Sequence, residues 1–327
     1  MTSVWSEIES HGNAPQDCML FPVEDQSVLA VTGPDSQKFM QGQFTCHLNE
    51  VSTNTYRPGA CCNAKGRMVT SFNLIQVADG QYLMSMHHSL TDLTLNHLKK
   101  YMVFFKSQMQ QSDYLVAGLS GVTAQSTLEQ VFESAPSEDF GQVISKHSII
   151  VKLPYDAGFQ LFIPSEHALD LLNQLSKHST LATNQQWNEN LIEHGLGYVT
   201  QATSEVLIPQ MLNLSQQGGI SFNKGCYTGQ EIVARMQYLG KLKRHMYRVS
   251  LEGSTPVMAG DPTYLEGKNS PIGEVVLACQ ESAQALIVVE DKTLSEIANN
   301  TLNIGTNKVL VKELLSLPYD VIEAQPE

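Results

Sequence analysis

The chain is sparing with charge. Only 16% of its 327 residues are charged, and its net charge is −13. The surface as a whole repels nucleic acid, so direct, broad binding to a phosphate backbone is not expected. No apolar run reaches the length of a membrane span. The opening MTSVWSEIES has no basic patch followed by an apolar core, so no signal peptide is expected. The six cysteines, Cys18, Cys46, Cys61, Cys62, Cys226 and Cys279, form no CxxC and no zinc spacing. Adjacent Cys61 and Cys62 would point to opposite faces of a strand, so no metal site is expected. The phosphate-cradling GxxxxGK[ST], the metalloprotease HExxH and the hydrolase GxSxG are all missing. Gly195-Leu196-Gly197 lacks a third glycine and a preceding strand, so it is not a dinucleotide loop. What remains reads as a cytoplasmic protein with reduced thiols.

A hydrophobic fraction of 42% describes an ordered globular chain. The pattern alternates strands and helices in mixed order, which predicts an α+β fold with mostly antiparallel sheets. Tyr56–Cys62 and Met68–Gln76 read as hairpin strands joined by Asn63–Arg67. Helices are expected over Leu90–Met102, with Leu90, Leu93, His97, Leu98 and Tyr101 on one stripe, and over Ala168–Lys177, with Leu169, Leu172 and Leu175 on one face. Gly195–Gly219 is a long, weakly periodic run of the kind that often carries function. Beyond Gly240, short alternating runs broken by glycine and proline predict a small antiparallel barrel or sandwich. The expected domains are 1–112, 113–240 and 241–327.

The segment that combines most chemistry is Lys224-Gly225-Cys226-Tyr227-Thr228-Gly229-Gln230-Glu231. Thr228 and Glu231 fit a capping box, predicting a helix from Gly229 to about Tyr238 with Ile232, Val233 and Met236 on one face. Cys226 would then sit near the positive helix end, with Lys224 as a second positive charge, and both favour thiolate. The alternative is a small buried cysteine, with Glu231 as no more than a cap.

Between Lys224 and Arg248 lie six basic residues, Lys224, Arg235, Lys241, Lys243, Arg244 and Arg248, against one acid, Glu231. This is either a solvated basic face or an anion site. Lys65 and Arg67 at the hairpin tip are either solvated charge or ligand-facing donors. Trp187, one of two tryptophans, is either core packing or a platform for a heteroaromatic ring.

The Lys224–Glu231 motif, continued by Ile232-Val233-Ala234-Arg235, resembles the signature of the YgfZ family of folate-binding, tRNA-modification-associated proteins. Pro209-Gln210, Asn213-Leu214, Gly218–Phe222, Thr32–Ser36, Gln41–Gln43 and Lys65-Gly66-Arg67 fit as well. The family is related to the T-protein of glycine cleavage, an aminomethyltransferase. The resemblance implies a T-protein-like fold with ferredoxin-like antiparallel sheets, three lobes around a central folate-binding hole, and a C-terminal β-barrel. It implies tetrahydrofolate or a one-carbon derivative as cofactor. It also implies a role toward iron–sulfur enzymes that thiolate tRNA, as protein partners.

Cys226 becomes the reactive group. Folate contacts are assigned to Trp187, Lys224, Tyr227, Gln230, Glu231, Arg235, Lys65 and Arg67, and to Gln26, which stands where the family has a second tryptophan. The aminomethyltransferases carry an acidic pair after the hairpin. Here Val69-Thr70-Ser71 follows instead, so glycine-cleavage chemistry is not expected. Two other functions share the same residues: one-carbon transfer to an unknown acceptor, and a folate-regulated scaffold docking partners through the basic strip.

Overall fold

The computed structural model describes residues 4–9, 17–238, 242–253, 255–299 and 301–321. In chain order the strands and helices run β1 (Met19–Pro22), β2 (Gln26–Thr32), α1 (Ser36–Gln41), β3 (Arg57–Cys62), β4 (Met68–Ala78), β5 (Gln81–His87), α2 (Thr91–Met102), β6 (Gln108–Gln111), β7 (Tyr114–Ser120) and α3 (Ala124–Phe132). Then come β8 (Gln142–Ser145), β9 (Ser148–Lys152), β10 (Phe159–Pro164), α4 (Ser165–Ser176), β11 (Thr180–Leu181), α5 (Asn184–Glu193) and α6 (Gln230–Tyr238). The last elements are β12 (Arg244–Leu251), β13 (Pro262–Leu265), β14 (Gly273–Cys279), β15 (Gln284–Glu290), α7 (Leu294–Ala298), β16 (Leu302–Ile304) and β17 (Val309–Leu315). The expected α+β class with antiparallel sheets holds; β1 with β11 is a parallel exception.

The chain divides into two compact units. One contains residues 1–40, 48–57 and 73–187; the other contains 41–47, 58–72 and 188–327. In the first unit, six strands pair in the order β11-β1-β7-β10-β9-β8. Period-two alternation sends Leu20, Ala117, Leu119, Leu161 and Ile163 to one face, where α3 and α4 supply Leu128, Phe132, Leu171, Leu172 and Leu175. The other face carries a different row. Phe21 pairs with Gly118, Gly118 with Gln160, Gln160 with Val151, and Val151 with Gln142. Directly paired antiparallel residues share a face, so this row sets two glutamines beside an aromatic and a glycine.

The amides of that row are bonded to polar groups of a second sheet, in which β4, β5, β2 and β6 are neighbours in that order. Gln160 donates to Gln26 Oε1 at 3.4 Å, and its own Oε1 accepts from Asn73 Nδ2 at 3.0 Å. Ser85 Oγ donates to Gln26 Oε1 at 2.7 Å, and Gln142 Nε2 donates to the Gln76 carbonyl at 2.7 Å. Trp187 lies over Gly118, where an added Cβ would stand 2.5 Å from its ring, and meets Phe21 at 5.3 Å between centroids. Only the absence of a side chain at 118 leaves room for the indole.

In the second unit, β12-β15-β14-β13-β16-β17 close into a barrel around Val249, Val275, Ile287, Leu302 and Val311. Of the two expected alternatives, this is the barrel. Register shifts at Ser250/Leu251 and Val275/Leu277 bend β12 and β14, as closure of so small a barrel requires.

Some expectations need correction. On α2 the buried residues are Thr91, Thr94, Leu98 and Met102, while Leu93 and Tyr101 are exposed. On α4, Leu171 replaces Leu169 on the buried face. Apolar spacing alone does not fix the phase of either helix; packing fixes it, and on α2 it admits Thr91 and Thr94 to the buried face. The strands β6 and β8 were not expected; Gln108–Gln111 is a polar segment with no apolar alternation.

Two alanine substitutions test the close approach at 118. Gly118→Ala should lose about 1–3 kcal/mol of stability by overpacking against the indole, read as a lower urea midpoint. Gly225→Ala, where a Cβ meets nothing within 4 Å, should stay within about 0.5 kcal/mol of wild type.

Candidate functional site

Within the second unit, the hairpin tip and the cysteine loop are built against each other. Asn63 organises the tip: its Oδ1 accepts from the Lys65 and Arg67 N–H groups at 2.9 and 3.2 Å, and its Nδ2 donates to Glu205 at 2.9 Å. The Asn63 carbonyl faces Gly229, where a Cβ would lie 2.5 Å away and the backbone has φ +85°. Both the close approach and the left-handed conformation require glycine there. Gly66 in turn packs against Ile232 of α6.

At the other end of the loop, Lys224 is 8% exposed. Its ammonium donates to the Phe44 carbonyl and, at 2.8 Å, to the Cys46 carbonyl. It also lies over the Tyr227 ring, 4.9 Å from the centroid. Burial brings its pKa down to about 8, with Cys46 opposing that shift. The positive charge expected beside the thiol is therefore committed to two backbone oxygens in the interior. Tyr227 is buried too, and burial, then Cys62 and Cys46, push its hydroxyl up. Burial raises the Cys62 thiol to about 12.

Between these two anchors, Gly225 and Cys226 are exposed. The other five cysteines are buried, so the alternative of a small buried cysteine at 226 does not hold. The expected capping box is displaced by one residue. Gln230, not Glu231, turns back, and its Oε1 accepts from the Tyr227 N–H at 3.2 Å. The Thr228 hydroxyl donates instead to Gln43 Oε1 at 3.3 Å, and its N–H donates to the Gly42 carbonyl. The helix starts at Gln230 rather than Gly229. Glu231 and Arg235 are exposed, and of the expected helix face only Val233 is fully buried.

The long run before the loop is held by side-chain amides. Gln210 Nε2 donates to the Val233 carbonyl at 2.6 Å. Asn213, at φ +54°, pairs with Met246 as a strand residue would, donating to its carbonyl at 2.8 Å and accepting from its N–H at 3.3 Å. Gln217 bonds the carbonyls of Gly195 and Leu212.

The basic strip does not form one anion site among the described residues. Lys224 is internal, Arg244 lies 3.7 Å from Glu290, and Arg248 lies 3.1 Å from Glu193. Lys241 is outside the described residues. Lys65 is exposed. Arg67 donates to the Val206 carbonyl, and together with Arg244 it pulls back the Glu274 carboxyl, which burial raises.

Gln26 and Trp187 belong to the first unit. Gln26 is part of the amide seam described above. Trp187 is fully buried, and its indole Nε1 has no hydrogen-bond partner among the described residues; Gln142 Oε1 has none either. The sequence reading missed Gln160, Asn73 and Ser85. A signal existed: Gln160 is a polar residue inside the apolar strand FQLFIP. Among the described residues, no group of three or more His, Cys, Asp or Glu could hold a metal ion. None of the described helices is long and apolar enough to cross a membrane.

Residues 5–184 match the GCVT N-terminal domain family. The chain is 31% identical over 308 residues to the tRNA-modifying protein YgfZ of Pectobacterium atrosepticum, covering 93% of this chain and 92% of that protein. It is 33% identical over 307 residues to the protein of the same name from Escherichia coli strain SE11, covering 93% and 94%. Among solved structures, the glycine cleavage system aminomethyltransferase T from Bartonella henselae superposes with a TM-score of 0.74 at 16% identity, covering 93% of this chain and 87% of that one.

The buried amine makes a signed prediction. Lys224 sits at about 8 in the folded chain against an ordinary 10.5. Between those values the unfolded chain binds more protons, so stability rises with pH there and is lost as pH falls through 8. The stability of wild type relative to Lys224→Met, from urea unfolding, should therefore rise from pH 8 to 10.5 by on the order of 2 kcal/mol. Taking the difference removes the tyrosines and cysteines that titrate in the same range. A flat difference would contradict a buried amine.

Proposed function

The chain belongs to the GCVT family and, within it, to the YgfZ group of tRNA-modifying proteins, and from that premise we propose that it is a folate-binding accessory protein. Its role is to support the assembly or repair of iron–sulfur enzymes that thiolate tRNA, with Cys226 as the reactive group. The observation that carries this reading is the exposure of that cysteine while the other five are buried. The sulfur stands on a two-residue stretch fixed at both ends, by the Lys224 amine and by the contact of Gly229 with Asn63. A free thiol on a fixed base can meet a large partner without the loop having to order first. All six cysteines are free, in keeping with a reducing compartment such as the cytoplasm.

The chemistry of the first unit fits a reduced folate. A pterin presents an edge of alternating N–H donors and ring or carbonyl acceptors, which side-chain amides match. Gln26, Asn73 and Gln160 supply amides, and the unpartnered Trp187 N–H and Gln142 Oε1 are a spare donor and acceptor. Folate, when bound, supplies a one-carbon unit or a reducing pterin; the residues named here would bind and orient it.

Aminomethyl transfer in glycine cleavage is not part of this proposal. The positions after the hairpin hold Val69, Thr70 and Ser71, all buried. Thr70 Oγ1 donates to the Ser71 carbonyl, and Ser71 Oγ accepts from the Val199 N–H at 2.8 Å. Neither side chain offers a carboxylate to handle an amine.

Cys226→Ala should leave the unfolding midpoint unchanged and abolish complementation of a tRNA-thiolation defect; full complementation would refute the role of the sulfur. For folate, calorimetry with tetrahydrofolate on wild type and Trp187→Phe separates ring from N–H. Loss of that donor should weaken binding about tenfold, the size of one hydrogen bond. Unchanged affinity would remove the indole N–H from the site.

A further inference from the structure

A concave site lies on the C-terminal barrel, lined by no residue of the cysteine loop or the hairpin tip. A cleft of about 410 Å³ opens over β13 and β16, a volume typical of small-molecule sites. Its floor is the cross-strand pair Tyr264 and Asn303. The flanking pairs, Thr263 with Ile304 and Leu265 with Leu302, send Thr263, Ile304 and Leu302 into the barrel interior. Alternation therefore turns Tyr264 and Asn303 outward.

Two tight turns make the walls. In one, the Lys268 N–H donates to the Leu265 carbonyl at 3.0 Å; in the other, the Lys308 N–H donates to the Gly305 carbonyl at 3.3 Å. Each turn thus delivers a lysine to the lining. Among the described residues neither ammonium has a hydrogen bond or an ion pair. Glu266 is the one acid of the lining and pairs with neither. Two lysines against one glutamate reverse the local sign in a chain of net charge −13.

These groups suit one ligand class. An aromatic floor offers a flat apolar face, on which a nucleobase stacks. Asn303 and Asn269 present amides, which match the donor and acceptor edge of a base. The lysines are mobile point charges suited to a phosphate, and the Thr306 hydroxyl is available to a ribose. An inorganic anion would leave Tyr264 unused, and an apolar ligand would strand two ammonium groups. We propose that this cleft binds a nucleoside 5′-phosphate, with the base on Tyr264 and the phosphate between Lys268 and Lys308. The same unit occurs as a free mononucleotide and as one residue of single-stranded RNA. The net charge of −13 disfavours a longer phosphate track. Its lining shares no residue with the proposed Cys226 and folate groups.

The test is a 1H–15N NMR titration of the full chain, at low salt, with each of AMP, CMP, GMP and UMP, with ribose 5-phosphate, and with a single-stranded hexaribonucleotide. Saturable shifts confined to the two turns, β13 and β16 are expected with the nucleotides. The Lys268→Gln/Lys308→Gln pair, on exposed turns, should weaken all ligands about tenfold or more. Tyr264→Ala should weaken nucleotides about tenfold, as the loss of one stacked base does, and leave ribose 5-phosphate within about twofold. Thermal unfolding of each variant checks that the barrel is intact, and the lysine pair reads the site even where Tyr264→Ala does not fold. Equal affinity for hexamer and mononucleotide supports a free-nucleotide site. Tighter hexamer binding that falls in the same variants supports an RNA site. Absence of saturable shifts with every nucleotide, or shifts unaltered in the lysine pair, overturns the proposal.

Discussion

One ammonium group fixes the geometry of the cysteine loop. Moving a lysine amine out of water costs several kcal/mol, which only good geometry and further hydrogen bonds offset. Lys224 meets that demand with the carbonyls of Phe44 and Cys46, residues 180 and 178 positions away in sequence, and with the face of Tyr227. The consequence is local. Lys224 and Tyr227 are buried while Gly225 and Cys226, between them, are exposed. A loop whose ends are buried and whose centre projects can hold a reactive atom in water without becoming flexible.

The first unit meets a related problem differently. Two sheets facing each other usually exclude polar atoms from the layer between them. Here Gln26, Asn73, Ser85 and Gln160 occupy it and bond mainly to one another. Such a network is tolerable only when its members are satisfied. Most are; the Trp187 N–H and Gln142 Oε1 are not. An unsatisfied buried donor costs about 1–3 kcal/mol, so the Trp187 N–H is a local cost within an otherwise paired layer.

Much of the frame was legible because it depends on local signals. The Asn63–Arg67 turn, the hairpin strands on either side of it and the alternating strands of the barrel all follow from residue type and period. What escaped the sequence depends on partners far along the chain. Nothing near Lys224 announces that its amine will find carbonyls in the segment 41–47. The one-residue slip of the cap has the same origin: Thr228 had a local use, but Gln43 and Gly42 took its hydroxyl and its N–H, leaving Gln230 to cover Tyr227. The basic strip dissolved because Glu193 and Glu290 came to meet Arg248 and Arg244. The outward phase of Leu93 and Tyr101 was likewise set by packing, not by apolar spacing.

The same distinction explains how one fold can carry different chemistry. A TM-score of 0.74 at 16% identity to an aminomethyltransferase means that period, turn chemistry and strand order suffice for the frame. Chemistry needs specific atoms at specific places, and those are cheaply exchanged when the replacement serves packing. Thr70 and Ser71 do so: their hydroxyls bond backbone groups, one within β4 and one at Val199, so the strand keeps its place without a carboxylate. The exposed Cys226 stands elsewhere in the chain, on a loop that owes its shape to the hairpin it touches. Asn63, Gly66 and Gly229 are needed at that contact whatever reaction the neighbouring sulfur undergoes, because Gly229 can approach the Asn63 carbonyl only without a side chain and Gly66 can receive Ile232 only in the same way. The hairpin tip is thus a support for the loop that carries Cys226.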